Sequence, residues 1–252
     1  MPDEKNEKLS GDVTLRSPLL GKLENFWYHH KWPFLASLLA LVVLTVTLVQ
    51  CANKGKGDDA YVMYAGGYTL MSEERGAFEQ TIAGFVGDRN GDGKTIVGIG
   101  NYAIYTPDEI KVKFDPDNQG YVQNLSGQNR EAFDQEIMAG EASLCFLSPA
   151  LFEVLAGNKS GSLLRPVSDY AESLPAGAEP VLYGEVVYGV RLSSLALAGY
   201  PGMGGLPEDT ILCLRTETSM NSLLGGSQAK EIYAANLSLL RQLLAAEPYA
   251  SK

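Results

Sequence analysis

From Pro33 to Val49 the chain runs seventeen residues without a charge, and Ser37, Thr45 and Thr47 are its only polar members. Each of those hydroxyls can bond back to a carbonyl one turn earlier, so none blocks insertion into hydrocarbon. At 1.5 Å per residue the run covers ~26 Å, and Trp32 with Gln50 to Ala52 bring it near the ~30 Å of a bilayer core. Phe26-Trp27-Tyr28-His29-His30-Lys31-Trp32 stands before it, an aromatic and basic cluster suited to the headgroup level. A transmembrane helix over 33–52 is therefore expected. A core helix would need a polar face that this run lacks. A cleaved signal peptide would need a charged region 32 residues long holding five acids, and no Ala-x-Ala site follows the run. Lipid attachment at Cys51 asks for a small residue before it, where this chain has Gln50.

Charge then divides the chain. Residues 1–50 hold five basic and five acidic residues, so the whole net charge of -10 falls on 51–252. Such a domain is repelled by phosphate backbones, and nucleic acid is not expected as a partner. Arg16, Lys22 and Lys31 precede the helix against Lys54 and Lys56 after it, a small positive-inside bias. That bias predicts a single-pass signal-anchor protein of the cell membrane: a cytoplasmic tail 1–32, a linker 53–59 and an extracytoplasmic domain 60–252. The opposite orientation would put the large domain in the cytosol. Both histidines, His29 and His30, lie before the apolar run. Residues 53–252 thus lack the base of Ser-His-Asp and Cys-His catalysis and any histidine ligand for zinc or iron.

Past the polar linker the periodicity changes. Ala60 to Ala65 reads as a buried strand, Gly66-Gly67 as a turn, and a helix is expected from Ser72, with Phe78, Ile82 and Phe85 on one face. Thr95 to Tyr105 reads as a strand with two glycines, bulged by that count. Thr106 to Gln128, rich in Asp, Asn, Gln and Pro, reads mostly as loop, with an edge hairpin near Ile110 to Phe114. A helix over Asn129 to Met138 closed by Gly140, a strand over Ala142 to Leu147 and a helix opened by Ser148-Pro149 follow. Val181 to Val190 is aromatic and β-branched, and Thr210 to Leu214 reads as a short buried strand. A terminal helix over Ser227 to Glu247 turns Ile232, Ala235, Leu239 and Leu243 inward. This alternation predicts an α/β domain with a mainly parallel sheet.

Several clusters could carry chemistry. Gly67, Tyr68 and Thr69 follow the first strand and Ser148 follows another, the strand-to-helix ends where α/β domains present backbone N–H groups to ligands; simple chain reversal also explains such turns. Asp88-x-Asn90-x-Asp92-Gly93-Lys94 matches the first half of a calcium loop, with Lys94 contributing its carbonyl. Position 12, which wants a bidentate acid, is Ile99, so a plain Asx-rich turn is the competing reading. No cofactor is expected beyond that calcium. Cys145 and Cys213 fall in buried strands, as core residues or as a disulfide if the strands adjoin. Glu185, between Tyr183 and Tyr188, is the acid to nominate for histidine-free hydrolysis, without an identifiable partner. Sequons at Asn124, Asn158 and Asn236 matter only in a glycosylating pathway.

Lys22-Leu-Glu-Asn-Phe-Trp-Tyr-His-His-Lys-Trp32, the strand-Gly-Gly start, Asp88-Arg-Asn-Gly-Asp-Gly-Lys94, Glu136-Ile-Met-Ala-Gly-Glu-Ala-Ser-Leu-Cys-Phe-Leu147 and Tyr188-Gly-Val-Arg-Leu192 together resemble uncharacterised single-pass membrane proteins of Gram-positive bacteria. Their outer domains are similar to type 2 periplasmic solute-binding proteins. Met138 to Leu147 resembles the helix, turn and strand of that fold, and Tyr188 to Leu192 its return segment. The resemblance implies a reduced solute-binding fold and a non-enzymatic binding or sensing module whose partner is a small solute. Two other classes fit the residues: an accessory subunit docking an envelope protein, and a carboxylate hydrolase.

Overall fold

The computed structural model describes residues 18–53, 58–217 and 226–250. The chain divides into two compact units, Met1–Gly55 and Lys56–Lys252.

The first unit is helix α1, Pro18–Asn53, 36 residues that extend well before the apolar run. His30–Thr47 within it is long and apolar enough to cross a membrane, and none of that stretch is buried. The expected back-bonding is present. Ser37 Oγ donates to the Pro33 carbonyl at 2.9 Å, and the Thr45 and Thr47 hydroxyls donate to Leu41 and Val43 at 2.8 Å. Pro33 sits inside the helix, where its missing N–H removes one backbone bond at the edge of the apolar stretch.

The second unit is an α/β domain on one six-stranded sheet. Its strands are β1 (Ala60–Gly66), β2 (Val97–Ala103), β3 (Leu144–Leu147), β4 (Pro180–Tyr183), β5 (Val186–Arg191) and β6 (Ile211–Leu214), in the spatial order β2-β1-β3-β6-β5-β4. β1 pairs parallel with β2 and β3, but β6 joins β3 antiparallel, β5 joins β6 antiparallel, and β4 joins β5 antiparallel. The sheet is mixed, which corrects the mainly parallel expectation. Val181 to Val190 folds as a hairpin: Tyr183 pairs with Val186 across Gly184-Glu185, and Gly184 has φ 63°. The segment 192–210 then forms the short 3₁₀ turns Leu192–Ser194 and Ala196–Gly199 instead of the crossover helix that a parallel strand would need.

Alternation along the strands splits the core in two. Val62, Tyr64, Leu144, Phe146, Leu212 and Leu214 face helix α2 (Ser72–Val86) through Phe78 and Ile82, and the terminal helix, here α6 (Gly226–Leu244), through Leu239, Leu240, Leu243 and Leu244. Met63, Ala65, Cys145, Leu147 and Cys213 face Phe133 of α4 (Pro116–Ala139) and Leu151, Phe152 and Leu155 of α5 (Pro149–Ala156). Ile232, expected on the inner face of α6, is 51% exposed; the inward turn comes later, at Asn236 and Leu239.

The polar segment 106–128 is helical, against the loop and edge-hairpin expectation. Helix α3 (Pro107–Lys113) starts on a capping box, with the Glu109 N–H bonded to Thr106 Oγ1 at 3.2 Å and the Thr106 N–H to Glu109 Oε2 at 2.8 Å. Pro116 opens α4, which ends as expected at Gly140 in the left-handed region (φ 76°). β2 pairs with β1 over seven consecutive residues with no bulge. Its glycines serve close approach: a Cβ on Gly100 would lie 2.7 Å from Tyr61 Oη.

Candidate functional site

From β1 the chain passes through α2 to β2 on one side, then returns through α3 and α4 to β3 on the other. The connections therefore diverge at the carboxyl ends of β1 and β3, where a sheet of this kind opens a crevice. Gly67, Tyr68, Thr69 and Ser148 all lie there. The Ser148 N–H donates to the Ala65 carbonyl at 2.9 Å, drawing the two strand ends together. A Cβ on Gly66 would stand 3.1 Å from Ser148 Cβ and 2.9 Å from Tyr64 Oη, so only glycine leaves room for the serine and the tyrosine. Ser148 also precedes Pro149 at the start of α5, as the sequence indicated.

The remaining residues of the site come from the end of the segment read as the second strand and from the segment read as loop. Tyr105 follows β2, and Ser126 of α4 clamps its backbone, accepting from the Tyr105 N–H at 2.9 Å and donating to the Tyr105 carbonyl at 3.2 Å. Its ring packs edge-on against Phe114, centroids 5.1 Å apart, and its hydroxyl lies 3.1 Å from Thr69 Oγ1. Glu109 of α3 reaches over Gly67, where any side chain would collide with its carboxylate. Lys113, one turn on, donates to Glu109 Oε1 at 3.1 Å and to the Gly67 carbonyl at 3.0 Å, with its ammonium 5.7 Å from the centre of the Tyr105 ring. The α3 contribution was hidden in the sequence because a seven-residue helix carries too little periodicity; Thr106-x-x-Glu109, a capping-box pattern with Pro107 inside it, was the available signal.

The electrostatics are acidic and aromatic. Burial pushes the Tyr64 phenol far up, reinforced by neighbouring Tyr105, Asp209, Glu109 and Tyr68. Tyr68 donates its hydroxyl to Glu74 Oε1; that bond, then burial, pushes its pKa up to about 12 and holds Glu74 below its usual value. Burial raises the Glu109 carboxyl, but the Thr106 N–H, the Lys113 bond and the Thr106 hydroxyl outweigh it, and the net shift is downward. Asn101 of β2 donates to the Leu70 carbonyl at 3.4 Å while its Oδ1 is buried with no hydrogen-bond partner. This rim of phenols and ionised carboxylates can bind and orient a polar molecule. Only Lys113 supplies positive charge to these contacts, and Glu109 neutralises it.

The other sequence candidates lie elsewhere. In the turn 88–94, Asp88 Oδ1 accepts from the Gly91 and Asp92 N–H groups and Oδ2 from Gly93, Asn90 Oδ1 accepts from Asp92, and Asp92 Oδ1 accepts from Lys94. The oxygens nominated for calcium thus already satisfy the turn's own donors, and Ile99 is buried in β2. Among the described residues no group of three or more His, Cys, Asp or Glu side chains is arranged to hold a metal. Asp59, read as linker, is the residue that organises this end of the sheet. Nearly buried, it accepts from the Arg89, Asn90 and Ile96 N–H groups at 2.8, 3.0 and 2.8 Å, and Arg89 continues to the Ala235 carbonyl of α6 at 3.0 Å. Cys145 and Cys213 stand directly opposite each other in β3 and β6, fully buried and unlinked. Burial, then the contact with Cys145, pushes the Cys213 thiol well up. Glu185 is exposed at the tip of the β4–β5 hairpin. Asn236 is buried and donates to Ser143 Oγ at 2.8 Å, so its sequon is closed to modification in the folded state.

Comparison of the chain with protein-family models, with curated proteins and with solved structures gives no match.

Proposed function

We propose that the protein is a membrane-anchored binding or sensing module that does no covalent chemistry, with α1 as the anchor, the tail 1–32 cytoplasmic and the α/β domain outside the cell membrane. Its ligand, a small solute, docks at the carboxyl ends of β1 and β3 against Gly67, Tyr68, Thr69 and Ser148. The observation carrying this reading is the meeting of Gly66 and Ser148 at the point where the strand connections diverge, within a rim of phenols and carboxylates. The resemblance to a reduced solute-binding fold agrees with it.

The test uses the full chain in lipid nanodiscs, observed by native mass spectrometry and thermal unfolding with the low-molecular-mass fraction of the source cells. The parent is expected to carry a discrete small-molecule adduct and to gain melting temperature. Tyr68→Ala with Ser148→Ala should lose both effects while keeping the unliganded melting temperature nearly unchanged. A bare parent chain with no ligand-induced shift contradicts the proposal.

One observation favours a second reading, an accessory subunit that docks an envelope protein. β4 is an edge strand, and Leu182, Tyr183 and Val186 beside the hairpin turn are 52, 44 and 39% exposed. An open edge flanked by apolar side chains is a template for strand addition.

A further inference from the structure

We infer that the site at the carboxyl end of β1 takes a cationic amine, and that Lys113 occupies the amine's place in the unliganded protein. The inference rests on the solute-binding reading and names its ligand class. An ammonium group offers three N–H donors and is attracted to the face of an aromatic ring. Around the Lys113 ammonium stand the Gly67 carbonyl at 3.0 Å, the Glu109 carboxylate at 3.1 Å and the Tyr105 ring at 5.7 Å. These are an acceptor, a counter-charge and a π face, and none of them depends on the ammonium belonging to a lysine.

The elements that build this cradle come from three places in the chain. Gly67 follows β1, Tyr105 follows β2 and is fixed by Ser126 and Phe114, and Glu109 is held by the Thr106 cap. Its walls are thus set by the fold, whereas its occupant sits at the end of a flexible stem. The Lys113 and Glu109 side chains are 44 and 34% exposed, and an ion pair this accessible is weak enough for a solute amine to displace. Glu74, which accepts from the Tyr68 hydroxyl, adds a further acid near this end of β1. The net charge of -10 on residues 51–252 concentrates cations at this surface and repels anionic solutes.

The experiment is calorimetric titration of the full chain in nanodiscs of neutral lipid, with 1,4-diaminobutane as probe and acetate as the anionic control. The parent should bind the diamine and not acetate. Lys113→Gln, which removes the internal competitor, should tighten the diamine about two- to fivefold, the range expected from losing one exposed ion pair. Lys111→Gln removes the same charge from the same helix but from a pair with Asp108, and should leave affinity unchanged. Glu109→Gln keeps the capping geometry, since glutamine also completes a capping box, and should weaken the diamine about two- to fivefold. Equal tightening by Lys111→Gln and Lys113→Gln would reduce the effect to overall charge and overturn the inference. Acetate binding in place of the diamine would overturn it while leaving the solute reading standing. Failure of the diamine to bind either the parent or Lys113→Gln would also overturn it, and the wider reading is then decided separately by the adduct on the parent chain.

Discussion

At the scale of single residues, Asp59 shows how a carboxylate in a polar stretch becomes structural. Burial raises its pKa, but the Ile96, Arg89 and Asn90 N–H groups and the Arg89 charge more than offset that, so the folded value lies below the ordinary 3.8. A depressed carboxyl stabilises the fold fully above its unfolded pKa and loses that contribution as pH falls through the folded one. Asp59 therefore supports stability above pH 3.8 and gives it up below. Glu136 runs the other way. Burial outweighs its bond from the Ala142 N–H at 2.7 Å and, with the Glu141 charge, raises its pKa, so its contribution is complete below 4.5 and declines as pH rises through the folded value. Asp59→Ala should cost roughly 1–3 kcal/mol at neutral pH, three part-buried N–H groups losing their acceptor. Urea unfolding from pH 7 to pH 3 checks this: the parent–variant gap should narrow below pH 4, and a gap constant with pH would refute the assignment. Arg215 is another such residue, almost wholly buried, with its guanidinium donating to the Glu136 and Ile137 carbonyls at the end of α4 and to Ala142 at 3.0 Å. Neither role could be seen in sequence, because both depend on carbonyls and N–H groups from segments far along the chain.

At the scale of elements, the turn 88–94 separates two kinds of loop that sequence alone leaves together. Its acids accept from its own backbone, so Asp88→Ala should destabilise the domain by about 1–2 kcal/mol through loss of three hydrogen bonds, equally with calcium or with chelator. Thermal unfolding in both conditions decides it, and a calcium-dependent increment in the parent, absent in the variant, would favour the metal reading. Legibility followed the strength of local signal. The apolar run of α1, the buried strands β1, β3 and β6, and the Gly140 cap of α4 were readable, because burial on both faces or a left-handed glycine leaves a mark in composition. Helices α3 and most of α4 were not, since Gly120, Gly127 and a run of Asn and Gln give poor intrinsic helicity that packing of Val122, Ser126 and Phe133 overrides. The β4–β5 hairpin was missed although Gly184-Glu185 is an acceptable two-residue turn, because continuous apolar residues on both sides masked the reversal. The position of Gly67 to Thr69 and Ser148 at strand ends was legible in the sequence. Tyr105, Glu109 and Lys113 became visible only with α3 in position.

At the scale of the whole molecule, an apolar helix long enough to span a membrane precedes an acidic α/β domain whose strand connections diverge at the carboxyl ends of β1 and β3. We propose that a ligand binds at those strand ends and not along the β4 edge. Hydrogen–deuterium exchange on the full chain in nanodiscs, with and without the low-molecular-mass fraction of the source cells, tests this directly, because amides that become covered or ordered exchange more slowly. Protection is expected at residues 66–70, 104–113 and 148–150 only, with 180–191 unchanged. Protection along 180–191 alone, or no change anywhere, would contradict the proposal.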